Sequence, residues 1–436
     1  MDCGLRMATH AVVKTWTEDP ANGAELEVAR VIASQFRIPP VATVERFRER
    51  GNINLHTFSV VTEDGQPYLL QRLNTDVFAF PDRVMDAMVS WLRAQSSALE
   101  QRPELNWNPI TLVPTLDGDS CLDFRVAGIP NVWRLMVLIP NSTTFKSLSE
   151  VPGRTAQLAL AEQVGRGLAL AADLTSDLDA HAMDVSLPGY RDTYGYYAQF
   201  DAVLGMHRDA DAVEPYLPES AEVRRATEHL YRLSANIGDA EAEARRYDTE
   251  LRPYLDLVQE ARGQALMIAD GVRAGWLRKT AIHGDTKIDN FLFDRTTLEV
   301  KSLVDLDTVM PYTWLADWGD CVRSLCNVAG EKERDLWQVQ VDREVYAAVA
   351  RGFLATATTP QREEIALMVD AVEAIALELG LRFLTDYLRG DNYFMLGEED
   401  PADLNRVRAM VQLTLYERLR EARPELEALF VERLES

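Results

Sequence analysis

A short run between His283 and Asn290 carries side chains suited to moving a phosphoryl group. Asp285 can orient and deprotonate a hydroxyl nucleophile, and Lys287 can reach a terminal phosphate. Asn290 and the later Asp305 can hold a magnesium ion, because carboxylate and amide oxygens are ligands for hard cations. ATP-dependent transfer of phosphate to a hydroxyl group needs these kinds of side chain, so Asp285 and Lys287 are the candidate catalytic residues.

If Asn290 and Asp305 bind one metal ion, the segment between them must bring the two side chains together. Apolar residues 291–293, turn residues 294–297 and a β-rich run to Val304 predict a hairpin with this effect. Protein kinases separate their catalytic Asp and Asn by the same interval and place the metal-binding Asp after the next hairpin. The pattern therefore favours a kinase. The alternative is that Asp285 caps a turn and His283 is an ordinary core histidine.

Composition and charge restrict the partners of this chain. Its 436 residues allow two or more domains, and 47% hydrophobic with 26% charged residues is ordinary for a soluble protein. A net charge of −24 disfavours nucleic acids and anionic membranes, because both are polyanions. The sequence has no CxxC pair, no basic-then-apolar leader and no window approaching about 18 apolar residues. We expect a cytoplasmic protein with reduced thiols.

The first third of the chain alternates short β-like runs with turns. Residues 57–62 and 67–73 predict a hairpin around a turn at 63–66, and Pro81 opens a helix with one apolar face. Further strands are expected at Ile110–Val113, Cys121–Val126 and Val132–Ile139. A set of strands with one intervening helix indicates a small α+β lobe over residues 1–139.

The rest of the chain, residues 140–436, is mainly helical in pattern, and the hairpin near 291–305 is its only clear strand region. The predicted helices are Arg154–Leu174, Ala221–Ala235, Asp239–Ala274, Arg343–Ala355, Arg362–Gly390 and Leu404–Leu434. A small β-rich N-terminal lobe and a large helical C-terminal lobe form an α+β, bilobal, protein-kinase-like fold. We expect ATP to bind in the cleft between such lobes.

The N-terminal lobe must supply groups for the ATP phosphates. No lysine lies between residues 15 and 145, so the usual strand lysine is missing, and Arg72 at the end of its strand is the candidate cation. Asp86 is a weak candidate for its acidic partner. Gly51, Asn52 and Asn54 precede that hairpin and could present backbone N–H groups to phosphate, although they do not form a GxGxxG motif.

Four segments together resemble a known family. They are 51–54 with 68–74, the catalytic loop at 283–290, 304–311 with 317–320, and 382–388 with 390–394. The chain is similar to the aminoglycoside-phosphotransferase and choline-kinase-like small-molecule kinases, and among them to the N-acetylhexosamine 1-kinases. The resemblance implies ATP and magnesium as cofactors and a small-molecule partner, a sugar phosphorylated on its anomeric hydroxyl.

The resemblance also implies residue roles. Asp285 would be the general base in contact with the acceptor, Asn290 and Asp305 would bind magnesium, and Asp307 would bind it directly or through water. Arg382 and Tyr393 match positions that contact the sugar, although Arg382 could equally form a helical pair with Asp386, four residues on. Asp317 and Asp320 are expected to anchor the catalytic loop and cap the next helix, with Arg323 as a neighbouring salt-bridge partner.

At some positions the sequence differs from the pattern of the hexosamine kinases. Gly284 stands where asparagine is usual, Arg191 stands where a histidine is expected, and about forty N-terminal residues are unmatched. Other acceptors therefore stay open: an aminoglycoside, homoserine, choline or an unacetylated sugar. A pseudokinase that only binds ligands is a further alternative, as is a two-metal hydrolase, which the scarcity of nearby histidines disfavours.

Overall fold

The computed structural model describes residues 25–47, 53–126, 129–397 and 399–431. Contacts among them divide the chain into two compact units, one ending at Ser142 and one beginning at Thr143. No helix in these ranges is long and apolar enough to cross a bilayer.

An antiparallel sheet forms the centre of the first unit. Its described strands are β1 Val41–Arg46, β2 Thr57–Thr62, β3 Pro67–Arg72, β4 Thr111–Leu112, β5 Leu122–Val126 and β6 Ile129–Val137. They lie in the order β1-β2-β3-β6-β4, and β5 pairs with the other part of β6. The predicted hairpin is confirmed as β2 and β3, with Thr57 opposite Gln71 and Val61 opposite Pro67.

The helices described in this unit are α1, Glu25–Ala33, and α2, Pro81–Gln101. α1 contributes Val28 and Ile32 to a core that also contains Trp133 of β6. α2 begins at the predicted proline, whose missing N–H costs nothing in a first turn. Its predicted apolar face is buried at Val84, Met88, Trp91 and Leu92.

The second unit is mainly helical. Its described α-helices are α3 Arg154–Leu174, α4 Thr193–Leu204, α5 Ala210–Val213, α6 Ala221–Thr227, α7 Asp239–Arg246, α8 Arg252–Glu260, α9 Arg262–Ala274, α10 Trp314–Cys326, α11 Arg343–Thr356, α12 Arg362–Ile365, α13 Met368–Arg389 and α14 Leu404–Ala428. α13 is buried along nearly its whole length and packs against α4, α9, α10 and α14. It is therefore the central element of this unit.

Short strands in this unit carry the catalytic loop. They are β8 Thr280–Ile282, β9 Phe291–Asp294, β10 Val300–Leu303 and β11 Met310–Tyr312, while β7, Ser142–Thr143, lies where the two units meet in sequence. β9 and β10 form the predicted hairpin, with Leu303 opposite Phe291. β8 pairs antiparallel with β11, so the expectation of a single strand region after Ser142 was wrong.

Several predicted helices are shorter or divided. The stretch Asp239–Ala274 forms α7, α8 and α9. Pro253, which is disfavoured in a helix interior, lies in the first turn of α8 and accounts for the break before that helix. Arg362–Gly390 divides into α12 and α13, and Gly390 ends α13 at a φ of +105°. The predicted helix at Ala221–Ala235 ends at Thr227 and continues as a 3-10 turn, Glu228–Tyr231. The last helix ends at Ala428.

Candidate active site

The catalytic loop begins directly after β8 and ends in a 3-10 turn, Ile288–Asn290, which leads into β9. Gly284 takes a φ of +87°, a left-handed conformation that glycine tolerates. A Cβ at this position would lie 2.7 Å from the carbonyl oxygen of Thr308. The residue before Asp285 must therefore be very small.

Helix α10 holds the backbone of this loop through Asp317. Its Oδ2 accepts a hydrogen bond from the N–H of His283 at 2.7 Å, and its Oδ1 accepts one from the N–H of Gly284 at 2.8 Å. Burial raises the pKa of the Asp317 carboxyl, while these amide hydrogen bonds favour its ionised form. Asp320 accepts from the N–H of Thr286 at 3.3 Å. The expected anchoring by Asp317 and Asp320 is confirmed, although both lie inside α10, whose N-cap is Thr313.

His283 connects the loop to the strand that precedes Asp305. Its Nδ1 accepts a hydrogen bond from the N–H of Asp285 at 3.2 Å, so its Nε2 is the nitrogen that donates to the carbonyl of Val304, at 2.8 Å. The ring is fully buried. His283 is thus a hydrogen-bonded core histidine, as the structural alternative proposed, and its bonds also hold Asp285 near Asp305.

The candidate catalytic side chains lie together at the end of this framework. Lys287 Nζ lies 3.1 Å from Asp285 Oδ2, and Asn290 Nδ2 donates to the same Oδ2 at 3.2 Å. Although burial opposes the charged form, Asp285, Asp289 and Asp305 raise the pKa of Lys287 above its usual value. Lys287 is therefore a protonated amine close to the carboxylate proposed as base.

The candidate metal ligands lie at one end of the β9–β10 hairpin. The N–H of Val304 donates to the carbonyl of Asn290 at 2.8 Å, which places Asp305 beside Asn290. Asp305 is exposed and adopts a left-handed φ of +67°, whereas Asp307, two residues further on, is buried. Such unusual backbone conformations are often found at functional sites.

The oxygen donors of Asn290, Asp305 and Asp307 are of the kind that magnesium takes in proteins. Across the described ranges, no group of three or more His, Cys, Asp or Glu residues could hold a metal ion. Magnesium in phosphoryl-transfer enzymes usually has one or two carboxylate ligands and takes the rest from water and the substrate phosphates. Asn290, Asp305 and the buried Asp307 are side chains of the kind that this pattern requires.

Arg382 and Tyr393, the candidate acceptor contacts, are close to each other. The Arg382 guanidinium donates to the Tyr393 hydroxyl at 3.3 Å and lies 4.9 to 5.5 Å from the ring centres of Tyr190, Tyr196, Tyr393 and Phe394. Tyr190 in turn donates from its hydroxyl to the carbonyl of Gly284 at 2.6 Å. This aromatic cluster, Tyr190, Tyr196, Tyr393 and Phe394, therefore connects Arg382 to the catalytic loop.

Asp386 organises the segment that presents Tyr393. Its carboxylate pairs with Arg389 at 2.7 Å and accepts hydrogen bonds from the N–H groups of Tyr393 at 2.9 Å and Phe394 at 2.8 Å. Asp386 thus has a structural role, while Arg382, one helical turn earlier, points into the aromatic cluster.

The candidate ATP-binding residues belong to the first unit. Gly51 and Asn52 lie outside the described residues. The Asn54 side chain is buried and its Oδ1 accepts from the N–H of Asn74 at 2.9 Å, so it fastens the chain before β2 to the chain after β3. Arg72 ends β3 opposite Trp133; burial lowers the pKa of its guanidinium, and the nearby Asp76 opposes that shift. Asp86, the weak candidate partner, is exposed on α2.

Two residues around the loop had no assigned role in the sequence. Tyr190 and Arg191 both donate hydrogen bonds to the carbonyl of Gly284. The only sequence signal was that Arg191 stands where a histidine was expected. Nothing in the local pattern places either residue within reach of a loop more than ninety positions away, because that contact depends on tertiary packing.

Comparison with known proteins shows the family and supports the fold. The model of the phosphotransferase enzyme family, APH, matches residues 11–364. The chain therefore belongs to this family and is a small-molecule kinase.

Two solved structures with TM-scores above 0.5 support the predicted protein-kinase-like fold, and a third aligns with a lower score. A microcompartment-associated aminopropanol kinase aligns with a TM-score of 0.55 and 15% identity, over 91% of this chain and 98% of that chain. An aminoglycoside phosphotransferase from Alicyclobacillus acidocaldarius aligns with a TM-score of 0.51 and 15% identity, over 91% and 96%. An amicoumacin kinase, solved in complex with AMP-PNP and Ca²⁺, aligns with a TM-score of 0.48 and 11% identity, over 87% and 91%.

Proposed function

We propose that this kinase transfers the γ-phosphoryl group of ATP to the anomeric hydroxyl of an N-acetylhexosamine, giving the sugar 1-phosphate and ADP. The observation that carries the transfer chemistry is the cluster of Asp285, Lys287 and Asn290 beside Asp305. The choice of sugar depends on the resemblance to hexosamine kinases and on the chemistry around Arg382.

Asp285 acts as the general base. Its carboxylate takes the proton of the anomeric hydroxyl while that oxygen forms a bond to the γ-phosphorus, and the bond from the γ-phosphorus to the β–γ bridging oxygen breaks to release ADP. The anomeric hydroxyl is more acidic than an ordinary alcohol, so a carboxylate is an adequate base. Lys287 places its positive charge 3.1 Å from Asp285, where it can neutralise charge on the transferred phosphoryl group.

Asn290 and Asp305 would hold magnesium, and Asp307 would bind it directly or through a water molecule. The metal supplies charge neutralisation at the ATP phosphates. For the first unit, we propose that Arg72 pairs with the α- and β-phosphates of ATP. Transition states for phosphoryl transfer are loose, so alignment and charge provide most of the rate enhancement.

The surroundings of Arg382 favour a neutral acceptor. Choline and aminoglycosides are cations, and a guanidinium close to the catalytic loop would repel them. The negative charge of Glu378 stabilises the Arg382 guanidinium, but Glu378 already forms an ion pair with Arg191 at 3.1 Å. Glu378 therefore does not offer a free carboxylate to a cationic acceptor. The N-acetyl carbonyl of a sugar can instead accept hydrogen bonds from Arg382. The apolar face of the sugar ring can pack against Tyr393, which is 42% exposed.

The test is the rate of ADP release from ATP and magnesium with N-acetylglucosamine, N-acetylgalactosamine, glucosamine, galactose, choline and kanamycin as separate acceptors. Methyl N-acetylglucosaminide is the matched control, because its anomeric oxygen is blocked. We expect turnover with an N-acetylhexosamine and none with the methyl glycoside. Turnover with the methyl glycoside, or only with a cationic acceptor, would contradict the proposal.

A further inference from the structure

Arg191 is unusual in both its burial and its backbone conformation. Only 4% of the residue is exposed, and its φ is +56°, a region that non-glycine residues rarely occupy. The surrounding structure must compensate for both costs, because a buried guanidinium needs hydrogen-bonding partners and a left-handed residue needs external support. Such an outlier is a reason to look for a functional role.

The Arg191 side chain has partners on three different elements. Nη2 donates to the carbonyl of Gly284 at 3.0 Å and lies 3.3 Å from Asp320 Oδ2, while Nη1 donates to Glu378 Oε1 at 3.1 Å. Its backbone N–H donates to the Tyr196 hydroxyl at 2.8 Å. One planar guanidinium therefore joins the catalytic loop, α10 and α13.

These contacts lie on both sides of Asp285. Arg191 binds the carbonyl of the preceding residue, Gly284, directly, and it pairs with Asp320, which accepts from the N–H of the following residue, Thr286. We propose that Arg191 is a positioning residue that fixes Asp285 relative to the acceptor. This inference rests on the base role proposed for Asp285.

The link to the acceptor side runs through α13. Glu378 and Arg382 are four residues apart on this helix, so they lie on the same face one turn apart. Arg191 holds Glu378 with one nitrogen and the catalytic loop with the other. The side chain of Arg191 thus links the loop that carries Asp285 to the face of α13 that carries Arg382.

The charge of Arg191 is stable in this position. Although burial opposes the charged form, Tyr190, Asp320 and Glu378 raise the pKa of Arg191 well above its usual value. A lysine would retain the charge but has no planar fork, so it cannot bind Gly284, Asp320 and Glu378 together.

The test compares Arg191→Lys and the double variant Arg191→Met with Glu378→Gln, which removes the carboxylate that would otherwise be left unpaired. Arg323→Met is the matched control, because Arg323 is equally buried and also pairs with Asp320, at 2.6 Å, without an observed bond to the loop. For each variant, kcat, the KM for ATP and for the acceptor, and the melting temperature are measured with whichever acceptor the wild-type enzyme uses. Hydrogen exchange of the peptide containing residues 283–290 is measured in parallel.

We expect both Arg191 variants to lower kcat by on the order of 10- to 100-fold, since a displacement of about 1 Å can cost that much. The KM for ATP should change less than about threefold, and residues 283–290 should exchange faster. Arg323→Met should leave kcat within about threefold even if it melts earlier. Equal losses of kcat in the Arg191 variants and in Arg323→Met, or unchanged exchange of the loop, would overturn the proposal. Hydrogen exchange needs no acceptor, so this failure is distinguishable from a wrong sugar.

Discussion

Replacing Asp317 with asparagine should separate the anchoring of the catalytic loop from its chemistry. The carboxylate accepts two backbone hydrogen bonds, from His283 and Gly284. Asparagine has one acceptor oxygen, so one buried N–H would face an amide donor. A hydrogen bond to a charged group contributes about 1.5–3 kcal/mol, and an unsatisfied buried donor costs about 1–3 kcal/mol. Burial raises the pKa of Asp317, which means that burying its negative charge costs free energy. The neutral asparagine avoids this cost, and that gain offsets part of the loss.

We therefore expect Asp317→Asn to lower the free energy of unfolding by about 2–4 kcal/mol, which corresponds to roughly 2–4 °C in Tm for a chain of this size. The kcat should fall by on the order of 100-fold, because the loop that carries Asp285 loses its alignment. The measurements are thermal unfolding and steady-state ADP release on the same preparation.

Asp285→Asn is the matched control for this experiment, since it makes the same chemical change in the same loop. The Asp285 side chain is 31% exposed and accepts from Asn290, without an observed role in anchoring the backbone. Its Tm should stay within about 1 °C of wild type, a typical change for a partly exposed site, while kcat falls by about 10²–10⁴. Wild-type Tm and turnover in Asp317→Asn, or near-normal turnover in Asp285→Asn, would refute this reasoning.

Three further substitutions test the catalytic loop, the phosphate contact and a buried carboxylate. Gly284→Ala places a Cβ 2.7 Å from the Thr308 carbonyl oxygen, so kcat should fall about 100-fold, and an active variant would show that the loop is adaptable. Arg72→Ala should raise the KM for ATP by about 10- to 100-fold, the value of a lost charged hydrogen bond, and an unchanged KM would exclude the phosphate role. Burial raises the pKa of Glu373 from 4.5 to about 7, so its contribution to stability is complete below about pH 4.5 and is lost as the pH rises through about 7. Glu373→Gln should therefore have a free energy of unfolding about 1–2 kcal/mol above that of wild type at pH 8 and nearly equal to it at pH 4; the same difference at both pH values would contradict this.

Local patterns predicted the features that depend on nearby residues. About twenty residues contain the catalytic spacing of Asp285, Lys287 and Asn290 together with the hairpin that follows. Turn residues and the alternation of apolar residues are therefore enough to predict both features. The hairpin of β2 and β3 and the start of α2 at Pro81 were predicted for the same reason.

Features that depend on distant contacts could not be predicted in this way. β8 and β11 are three residues each, too short for a period-two pattern, and they exist because they pair with each other. The positive φ of Arg191 leaves no mark on its sequence, and the aromatic cluster around Arg382 gathers residues separated by up to about two hundred positions. The break before α8 could have been predicted from Pro253, since proline rarely lies inside a helix.

The proposed reaction places the phosphate on the anomeric oxygen of the acceptor sugar. The most direct measurement is the NMR spectrum of the product formed from ATP, magnesium and an N-acetylhexosamine, in which the coupling of phosphorus to a sugar proton locates the phosphate. We predict coupling to the anomeric proton, together with loss of the free reducing end. Phosphate on any other hydroxyl, or no phosphorylated sugar while another acceptor is consumed, would contradict the claim.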